Sequence, residues 1–124
     1  MNRRDGFTLI ELLVVMSIIA TLLAIAAPRY FGSLAQSHDT ALRQNLSVLR
    51  DALDHHYGDT GSYPDSLDAL VDRRYLRAVP VDPVTERSDT WVVMPPPAGL
   101  AGAVGNVRSG APGRGRDGTP YAEW

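Results

Sequence analysis

The pattern of hydrophobic positions begins with one long apolar run near the start of the chain. Between residues 7 and 27 the only charged residue is Glu11, and the other polar residues are Thr8, Ser17 and Thr21. A helix over this run would be roughly 30 Å long at about 1.5 Å per residue. That length is enough to cross the hydrocarbon core of a bilayer. The pattern therefore predicts one membrane-spanning helix.

The helix is expected to change character at Pro28, which bounds the predicted membrane segment at residues 7–28. Proline lacks the backbone N–H and its ring crowds the preceding turn, so a kink or a loosened turn is predicted there. Beyond it, apolar residues recur at intervals of three or four positions, namely Leu42, Leu46, Leu49, Leu53 and Tyr57. Such a stripe is typical of an amphipathic helix laid against a small domain. We therefore predict that the helix continues over residues 29–57.

A turn-rich cluster ends this helix in the prediction and opens a small head, residues 58–124. The cluster starts at Gly58, which suits the left-handed residue that follows a helix C-terminus. A short second helix is predicted next, because Asp65 or Ser66 can cap it and acids are favoured in its first turn. The residues it would bury are Leu67, Leu70 and Val71.

The last part of the chain contains two short β-prone segments. Residues 90–94 are rich in β-branched and aromatic side chains and are stopped by three prolines. Residues 104–109 are predicted as a second strand, and residues 110–118 as a glycine-rich loop. Tyr121 and Trp124 are expected to dock on the head. The predicted fold class is therefore α+β, a long N-terminal α-helix packed on a small head with a short antiparallel sheet.

Size, charge and cysteine content limit what such a chain can do. It has 124 residues, a formal net charge of −2 and no cysteine. That size gives room for one membrane helix and one small head. Acids and bases are interspersed, so no nucleic acid is expected as a partner, since such a partner needs clustered positive charge. Without disulfides, the head must be held by its core, by the helix, by a metal or by assembly.

Glu11 is the informative residue of the apolar run. An ionised carboxylate in a membrane helix is costly and normally marks a functional pairing. Its own helix offers no cation three or four positions later, where Val14 and Val15 stand. Its partner must therefore come from elsewhere. If the chain is cut after Gly6, the new amine of Phe7 is a cation at the same membrane depth, and a neighbouring copy can present it to Glu11.

The charges that flank the apolar run predict its orientation. Arg3 and Arg4 precede it and favour a cytoplasmic N-terminus with the head exported, although Arg29 on the far side weakens the asymmetry. A secretory signal peptide would be cleaved after its apolar core, whereas the candidate cleavage point here comes before it. The alternative is an ordinary single-pass anchor in which Glu11 has no special partner.

These residues resemble the N-terminus of type IV prepilins and of type II secretion pseudopilins. The similar features are a short basic leader ending in Gly6, the sequence Phe7-Thr8-Leu9-Ile10-Glu11, the long apolar helix and Pro28. The resemblance implies that a prepilin peptidase removes the leader, residues 1–6, and N-methylates Phe7. It also implies that Glu11 pairs with the Phe7 amine of an adjacent subunit in a helical filament that grows from the bacterial inner membrane.

A second match narrows the resemblance toward the major pseudopilins. Their order of Tyr-Pro, short helix, Tyr-Leu and Val-Pro-x-Asp-Pro is found here as Tyr63-Pro64, Tyr75-Leu76 and Val79 to Pro83. The family function this implies is structural: a pseudopilus in the periplasm that drives protein export by a type II secretion system. The implied partners are other copies of the chain, minor pseudopilins, the inner-membrane platform protein and membrane lipid.

Two other functions remain open at this point. One is a type IV pilin, major or minor, that serves adhesion, motility or DNA uptake. The other is a membrane-anchored binding domain that never polymerises. An enzyme is not expected, because the chain shows no nucleophile elbow, phosphate loop or Cys/His pair.

Calcium is the one cofactor that the resemblance implies. In the major pseudopilins that this chain resembles, the loop near the C-terminus binds calcium, an ion that prefers six to eight oxygen ligands including several carboxylates. The corresponding loop offers Asp117, with Glu123, Ser109 and backbone carbonyls as further oxygens. Asp117 is the candidate metal ligand, because it is the carboxylate that the loop offers. Two arginines of the loop, Arg114 and Arg116, would repel the ion.

Other polar clusters favour solvated surfaces over chemistry. His55 and His56 follow Asp54, but adjacent side chains on a helix diverge by about 100° and cannot both bind one metal. We expect both histidines at the surface near the helix end. The acids of the short helix, Asp65, Asp68 and Asp72, are expected to form a solvated acidic face.

Overall fold

The computed structural model describes residues 6–124. Arg3, Arg4 and all of the predicted leader except Gly6 lie outside the described residues. The chain forms two compact units that divide after Ala35. The described residues of the first unit are three non-helical residues followed by helix, and the second unit contains the head together with the helix segment that carries its core.

The long helix α1 spans Leu9–Thr60 and contains Pro28 within it. The prediction that the helix continues beyond the proline is confirmed. By length and composition, α1 is able to cross a membrane. Among the described residues it is the one helix that is long and apolar enough to do so. The N-terminal stretch that qualifies has no buried residues in the isolated subunit.

The end of α1 lies later than the sequence pattern predicts. The helix runs to Thr60 and not to Tyr57, and it includes Gly58. The left-handed residue is Gly61, at φ 76°, and its N–H donates to the Tyr57 carbonyl at 2.8 Å. The Thr60 hydroxyl also donates to the His56 carbonyl. These two bonds use carbonyls that a helix ending at residue 57 would leave unpaired, which offsets the conformational cost of Gly58 within a helix.

The predicted second helix is present as α2, Leu67–Asp72. Ser66 is its N-cap, and the Ser66 hydroxyl accepts a hydrogen bond from the Ala69 N–H at 3.2 Å. Of the three residues expected to be buried, Leu70 is fully buried, while Leu67 and Val71 are partly buried against the core. Capping therefore places the apolar side of α2 on the head as predicted.

A two-stranded antiparallel sheet completes the regular structure. Strand β1 spans Val92–Met94 and strand β2 spans Asn106–Arg108, with Val93 opposite Val107. A single 3-10 turn covers Tyr121–Glu123. This arrangement confirms the predicted α+β fold class.

The core of the second unit is built on the apolar stripe of α1. Leu42, Leu46, Leu49 and Leu53 are all at most 2 % exposed. Residues from the rest of the head close over them, namely Leu70, Leu76, Trp91, Val104 and Val107. Each fully buried side chain of this size contributes about 1.5–3 kcal/mol relative to an exposed one. The stripe is therefore the surface that orders the head.

The two aromatic residues near the end of the chain pack as predicted. Tyr121 and Trp124 are partly buried against the core and contact each other edge to face, with ring centroids 5.0 Å apart. Their position brings the glycine-rich loop that precedes them next to the part of α1 in the second unit. This placement decides the environment of Asp117.

Candidate functional site

The bond between Gly6 and Phe7 lies in a non-helical segment ahead of α1. Phe7 is 84 % exposed, and within the described residues nothing lies within 4 Å of the position that a Cβ on Gly6 would occupy. The helix begins two residues after Phe7, at Leu9. A protease can therefore approach this peptide bond without unwinding the helix.

Glu11 is hydrogen-bonded to the residue that immediately precedes α1, a contact that the sequence analysis did not predict. Its Oε2 accepts a hydrogen bond from the Thr8 N–H at 2.9 Å. In return, the Glu11 N–H donates to the Thr8 hydroxyl at 3.2 Å. This reciprocal pair is a capping box, in which Thr8 and Glu11 satisfy two N–H groups at the start of the helix. The Thr-x-x-Glu spacing of a capping box is visible in the sequence itself.

The capping box leaves the Glu11 carboxylate able to accept further hydrogen bonds. A backbone N–H offers a partial positive charge, and the aligned helix dipole adds to it, but neither neutralises a carboxylate. An ionised carboxylate can accept several hydrogen bonds on its two oxygens. A cationic donor from outside the subunit can thus be added while the Thr8 bond is retained.

The remainder of the membrane-length stretch is an exposed apolar surface. Its large side chains are exposed in the isolated subunit, including Leu9, Ile10, Leu13, Met16, Leu22, Leu23 and Ile25. Its two internal hydroxyls bond to carbonyls one turn earlier: Ser17 donates to Leu13 and Thr21 donates to Ser17, each at 2.8 Å. Because these polar groups are satisfied within the helix, lipid or other helices can cover this surface without an unpaired donor.

Asp117 lies in the C-terminal loop, defined here as residues 110–120, and is bonded to protein donors on both oxygens. Arg43 of α1 donates to its Oδ2 at 2.9 Å, and the Thr119 N–H donates to its Oδ1 at 3.0 Å. The Thr119 hydrogen bond, helped by the charge of Arg43, holds the pKa of Asp117 below its ordinary value. Asp117 is therefore an ionised anchor of the loop.

Asp39 is a second anchor that sequence reasoning missed. It is 8 % exposed, and its carboxylate accepts two hydrogen bonds from the end of the chain. The Arg116 N–H donates to one oxygen at 2.8 Å, and the Tyr121 hydroxyl donates to the other at 2.7 Å. The bond to Asp39 raises the pKa of Tyr121 to about 12. No local pattern marks Asp39, because its partners are some 80 positions away along the chain.

The C-terminal loop does not fit the calcium site that the resemblance implies. Four of its backbone carbonyls are used by protein donors: those of Gly113, Gly115, Gly118 and Thr119 accept from Tyr121, Gly118, Arg114 and Gly115 respectively. Among the described residues there is no group of three or more acidic, histidine or cysteine side chains that could hold a metal ion. Several of the oxygens that the loop could offer to calcium, including both of Asp117, are thus already engaged.

The Ser109 hydroxyl, another candidate ligand, is also engaged. It donates to Asp82 Oδ2 at 2.6 Å and accepts from the Ala111 N–H. Asp82 and Ser109 are both completely buried. Asp82 is the acid of the Val79 to Pro83 motif, and its other oxygen accepts from the Val84 N–H at 2.8 Å. The motif therefore supplies a buried carboxylate that links two loops.

The remaining polar clusters differ in how well they were predicted. The acidic residues of the α2 region, Asp65, Asp68 and Asp72, are exposed as expected, and so is His55. The prediction for His56 is wrong, because its side chain is 4 % exposed. Its Nδ1 lies 2.7 Å from the Ser62 carbonyl, and its ring contacts Tyr75. His56 points inward because it follows Leu49 and Leu53 along the buried side of α1.

Comparison with known proteins places these features in a family context. The family model described as the prokaryotic N-terminal methylation motif matches residues 1–27. Type II secretion system core protein G of Pseudomonas aeruginosa is 33 % identical over 98 residues, covering 66 % of this chain and 69 % of that protein. The protein of the same name from Klebsiella pneumoniae is 30 % identical over 99 residues, covering 67 % and 71 %.

Pilins are similar over a shorter region. The type IV major alpha-pilin of Moraxella bovis is 43 % identical over 54 residues, which cover 44 % of this chain and 34 % of that pilin. No solved structure gives a significant match. The similarity that extends over two thirds of both chains is thus to the core protein G group.

Proposed function

The chain belongs to the type II secretion system core protein G family, and from that premise we propose that it is the structural subunit of a pseudopilus. In this role the subunit polymerises into a filament that drives protein export across the outer membrane. It is a pilin-like building block and not an enzyme. The N-terminal helix anchors the subunit in the membrane before assembly and then forms the filament core.

The observation that carries this proposal is the exposed apolar helix with one carboxylate at its start. In an isolated subunit the apolar surface needs lipid or other helices to cover it, since water solvates it poorly. Glu11 lies in the first turn of α1, and the hydrogen bond from the Thr8 N–H that caps it does not neutralise a carboxylate. A second copy supplies both requirements at once, an apolar helix for the surface and an amine for the carboxylate.

Processing supplies that amine. We propose that prepilin peptidase cleaves the exposed bond between Gly6 and Phe7 and then N-methylates Phe7, consistent with the match of residues 1–27 to the methylation motif. A methylated secondary amine remains protonated at neutral pH, so the modified terminus keeps its charge. In the new subunit the Phe7 amine lies two residues before the start of α1 at Leu9, close to the membrane depth of Glu11.

The topology that suits this assembly has the N-terminus in the cytoplasm and the head in the periplasm. We propose that subunits wait in the inner membrane and join the filament through the platform protein, with minor pseudopilins at its tip. The alternative of a type IV pilin for adhesion, motility or DNA uptake has weaker support, because the similarity to the Moraxella pilin covers less than half of this chain.

The first prediction tests the charge pairing at Glu11. Glu11→Gln keeps an acceptor at the third helical position, which suits a capping box, but it removes the negative charge. Glu11→Val removes both. We expect both variants to insert in the membrane and to lose assembled filament by about tenfold or more, because removing one partner of a buried ion pair costs about 2–5 kcal/mol. Carbonate extraction measures insertion, and filaments sheared from cells measure assembly.

One combination of results would contradict the intersubunit pair. Wild-type assembly by Glu11→Gln together with failure of Glu11→Val would show that capping alone is needed.

Gly6→Val is the matched control for processing, because the described part of the subunit has space for its side chain. It should give protein that keeps its leader, whereas both Glu11 variants should be cut, as mass spectrometry of the first residue will show.

A further inference from the structure

The C-terminal loop is fixed to α1 by groups of the protein at the place where the family resemblance implies a calcium ion. We propose that the Arg43 guanidinium is the cation of this loop and that it takes the position of the metal. The inference concerns the unassembled subunit. It therefore stands or falls separately from the proposed role in a filament.

The Arg43 guanidinium makes two contacts, one with the loop and one with the end of the chain. One nitrogen donates to Asp117 Oδ2 at 2.9 Å. The central carbon of the same group lies over the Trp124 ring, 4.4 Å from the ring centroid. Arginine is suited to this double contact because its planar guanidinium can stack on a ring while its edge donates hydrogen bonds. One side chain thus holds two points of the terminal segment.

The second step is the arrangement of charges on the helix. Asp39 lies one turn before Arg43, so both side chains project from the same side of α1. Asp39 accepts from the loop at the Arg116 N–H, while Arg43 donates to the loop at Asp117. The helix therefore contributes one acid and one cation. The loop pairs the Arg116 N–H with the acid and the Asp117 carboxylate with the cation. This reciprocal pairing sets the position of the loop along the helix.

The third step is the fit of the loop to a divalent ion. Asp117 is the one carboxylate that the loop itself contributes, and its two oxygens are engaged by Arg43 and Thr119. A calcium ion at Asp117 would stand beside the Arg43 guanidinium, and like charges at that separation repel. It would also have to displace the donors that occupy the loop carbonyls. Loop order in this chain consequently does not require calcium.

The packing of Trp124 inside the loop supports the same conclusion. The Trp124 indole N–H donates to the Thr119 carbonyl at 3.3 Å. A Cβ at Gly115 would lie 2.2 Å from a carbon of the Trp124 ring, which is closer than any side-chain contact permits. The ring under Arg43 therefore fills the inside of the loop, in direct contact with the glycine backbone.

The second prediction tests this assignment on the processed full chain in detergent micelles. Its melting temperature should be the same in excess calcium and in excess EGTA. Arg43→Met keeps an apolar stem against Trp124 and removes the cation. We expect it to lower the melting temperature by about 4–8 °C, because the ion pair with Asp117 and the contact with the Trp124 ring are both lost. It should also speed trypsin cleavage after Arg114 and Arg116 severalfold.

Arg77→Met is the matched control, because Arg77 is an exposed arginine in the segment after α2. It should leave the melting temperature and the loop cleavage unchanged. Asp117→Asn provides a second route should Arg43→Met fail to fold. It should speed loop cleavage in the same direction as Arg43→Met does, and the double variant should be no worse than Arg43→Met alone, because removing Arg43 already removes the bond to Asp117.

Two outcomes would overturn the assignment. One is a rise of several degrees in the wild-type melting temperature with calcium relative to EGTA, which would show that the loop takes a metal in spite of Arg43. The other is Arg43→Met behaving like Arg77→Met in both assays. Neither outcome bears on whether the subunit assembles through Glu11.

Discussion

At the scale of single residues, the most consequential positions in the head are buried acids whose partners are distant in the chain. Asp82 is completely buried and accepts a hydrogen bond from the Ser109 hydroxyl 27 positions later. Burying a charge is costly unless hydrogen bonds compensate for it. Here the compensation comes from Ser109 and from the Val84 N–H. The proline-flanked motif around Asp82 is thereby held against the loop that follows β2.

The third prediction concerns this buried pair. Ser109→Ala removes the short bond to Asp82 and leaves one carboxylate oxygen without that donor. We expect the free energy of unfolding to fall by about 1–3 kcal/mol, the usual cost of losing a buried hydrogen bond to a charged group. Urea denaturation of the detergent-solubilised chain measures the change.

Ser88→Ala is the control for Ser109→Ala, because Ser88 is exposed. Substitutions at such surface positions usually change stability by less than about 0.5 kcal/mol. Equal effects of the two variants would contradict a structural role for the pair between Asp82 and Ser109.

At the scale of secondary structure, the end of α1 shows how side-chain and backbone bonds move a boundary. Gly58 was the natural choice for the left-handed residue, since it opens the turn-rich cluster. The helix instead continues to Thr60 and Gly61 takes that conformation. Asp59, in the added turn, accepts a bond from the Tyr75 hydroxyl at 2.8 Å. The extra turn is thus tied to the segment after α2.

The fourth prediction uses the two glycines, which should respond to the same substitution with opposite signs. Gly58→Ala should raise the free energy of unfolding by about 0.5–1 kcal/mol, because alanine is the better helix former and the site is open. Gly61→Ala should lower it by about 1–2 kcal/mol, because a Cβ is strained at φ 76°.

The same pair of variants also tests the position of the helix end. Thermal unfolding followed by circular dichroism gives both signs, and each variant serves as the control for the other. The reverse order, with Gly58→Ala the destabilising change, would mean that α1 ends at Gly58 as the sequence pattern first indicated.

At the scale of the whole molecule, the two units differ in what stabilises them. The head has an internal core and a network of long-range hydrogen bonds, centred on Asp39, Arg43 and Asp82. The Arg50 side chain adds bonds to Asn106 and to the Val107 carbonyl. The first unit has no such core among its described residues, and its apolar side chains are exposed. One unit is therefore complete by itself, whereas the other needs lipid or further copies.

The fifth prediction is a pH dependence of the head. The pKa of Tyr121 is raised to about 12 in the folded chain, from about 10 in an unfolded one. A group with a raised folded pKa contributes stability that is fully present below the unfolded pKa and is lost as the pH rises through the folded value. Stability should consequently fall between about pH 10 and pH 12, as a tyrosinate forms beside Asp39.

Tyr121→Phe isolates this contribution from those of the other tyrosines. The variant should be less stable than wild type at neutral pH, and the difference should stay constant up to about pH 9. Above pH 10 the difference should narrow, because only the wild type loses the hydroxyl bond. Urea denaturation at a series of pH values gives the comparison. A difference that does not change up to pH 12 would contradict the bond to Asp39.

The sequence by itself determined the elements and the class of protein. The apolar run, the stripe from Leu42 to Leu53 and the cap at Ser66 are local patterns, and local patterns decide helices because helical hydrogen bonds join residues four positions apart. The motif from Gly6 to Glu11 also indicates the protein family from the sequence alone, because its residues are adjacent in the chain. Even the capping partner of Glu11, although overlooked, was readable from its spacing to Thr8.

Only the tertiary structure decided which polar residues are buried and what they bind. The bond between Asp39 and Tyr121 joins residues 82 positions apart, and the pair of Arg43 with Asp117 joins residues 74 positions apart. No periodicity encodes such contacts, because they arise when core packing brings the C-terminal loop onto α1. For that reason the candidate ligand Asp117 looked available for calcium in the sequence, whereas in the folded head it is paired with Arg43.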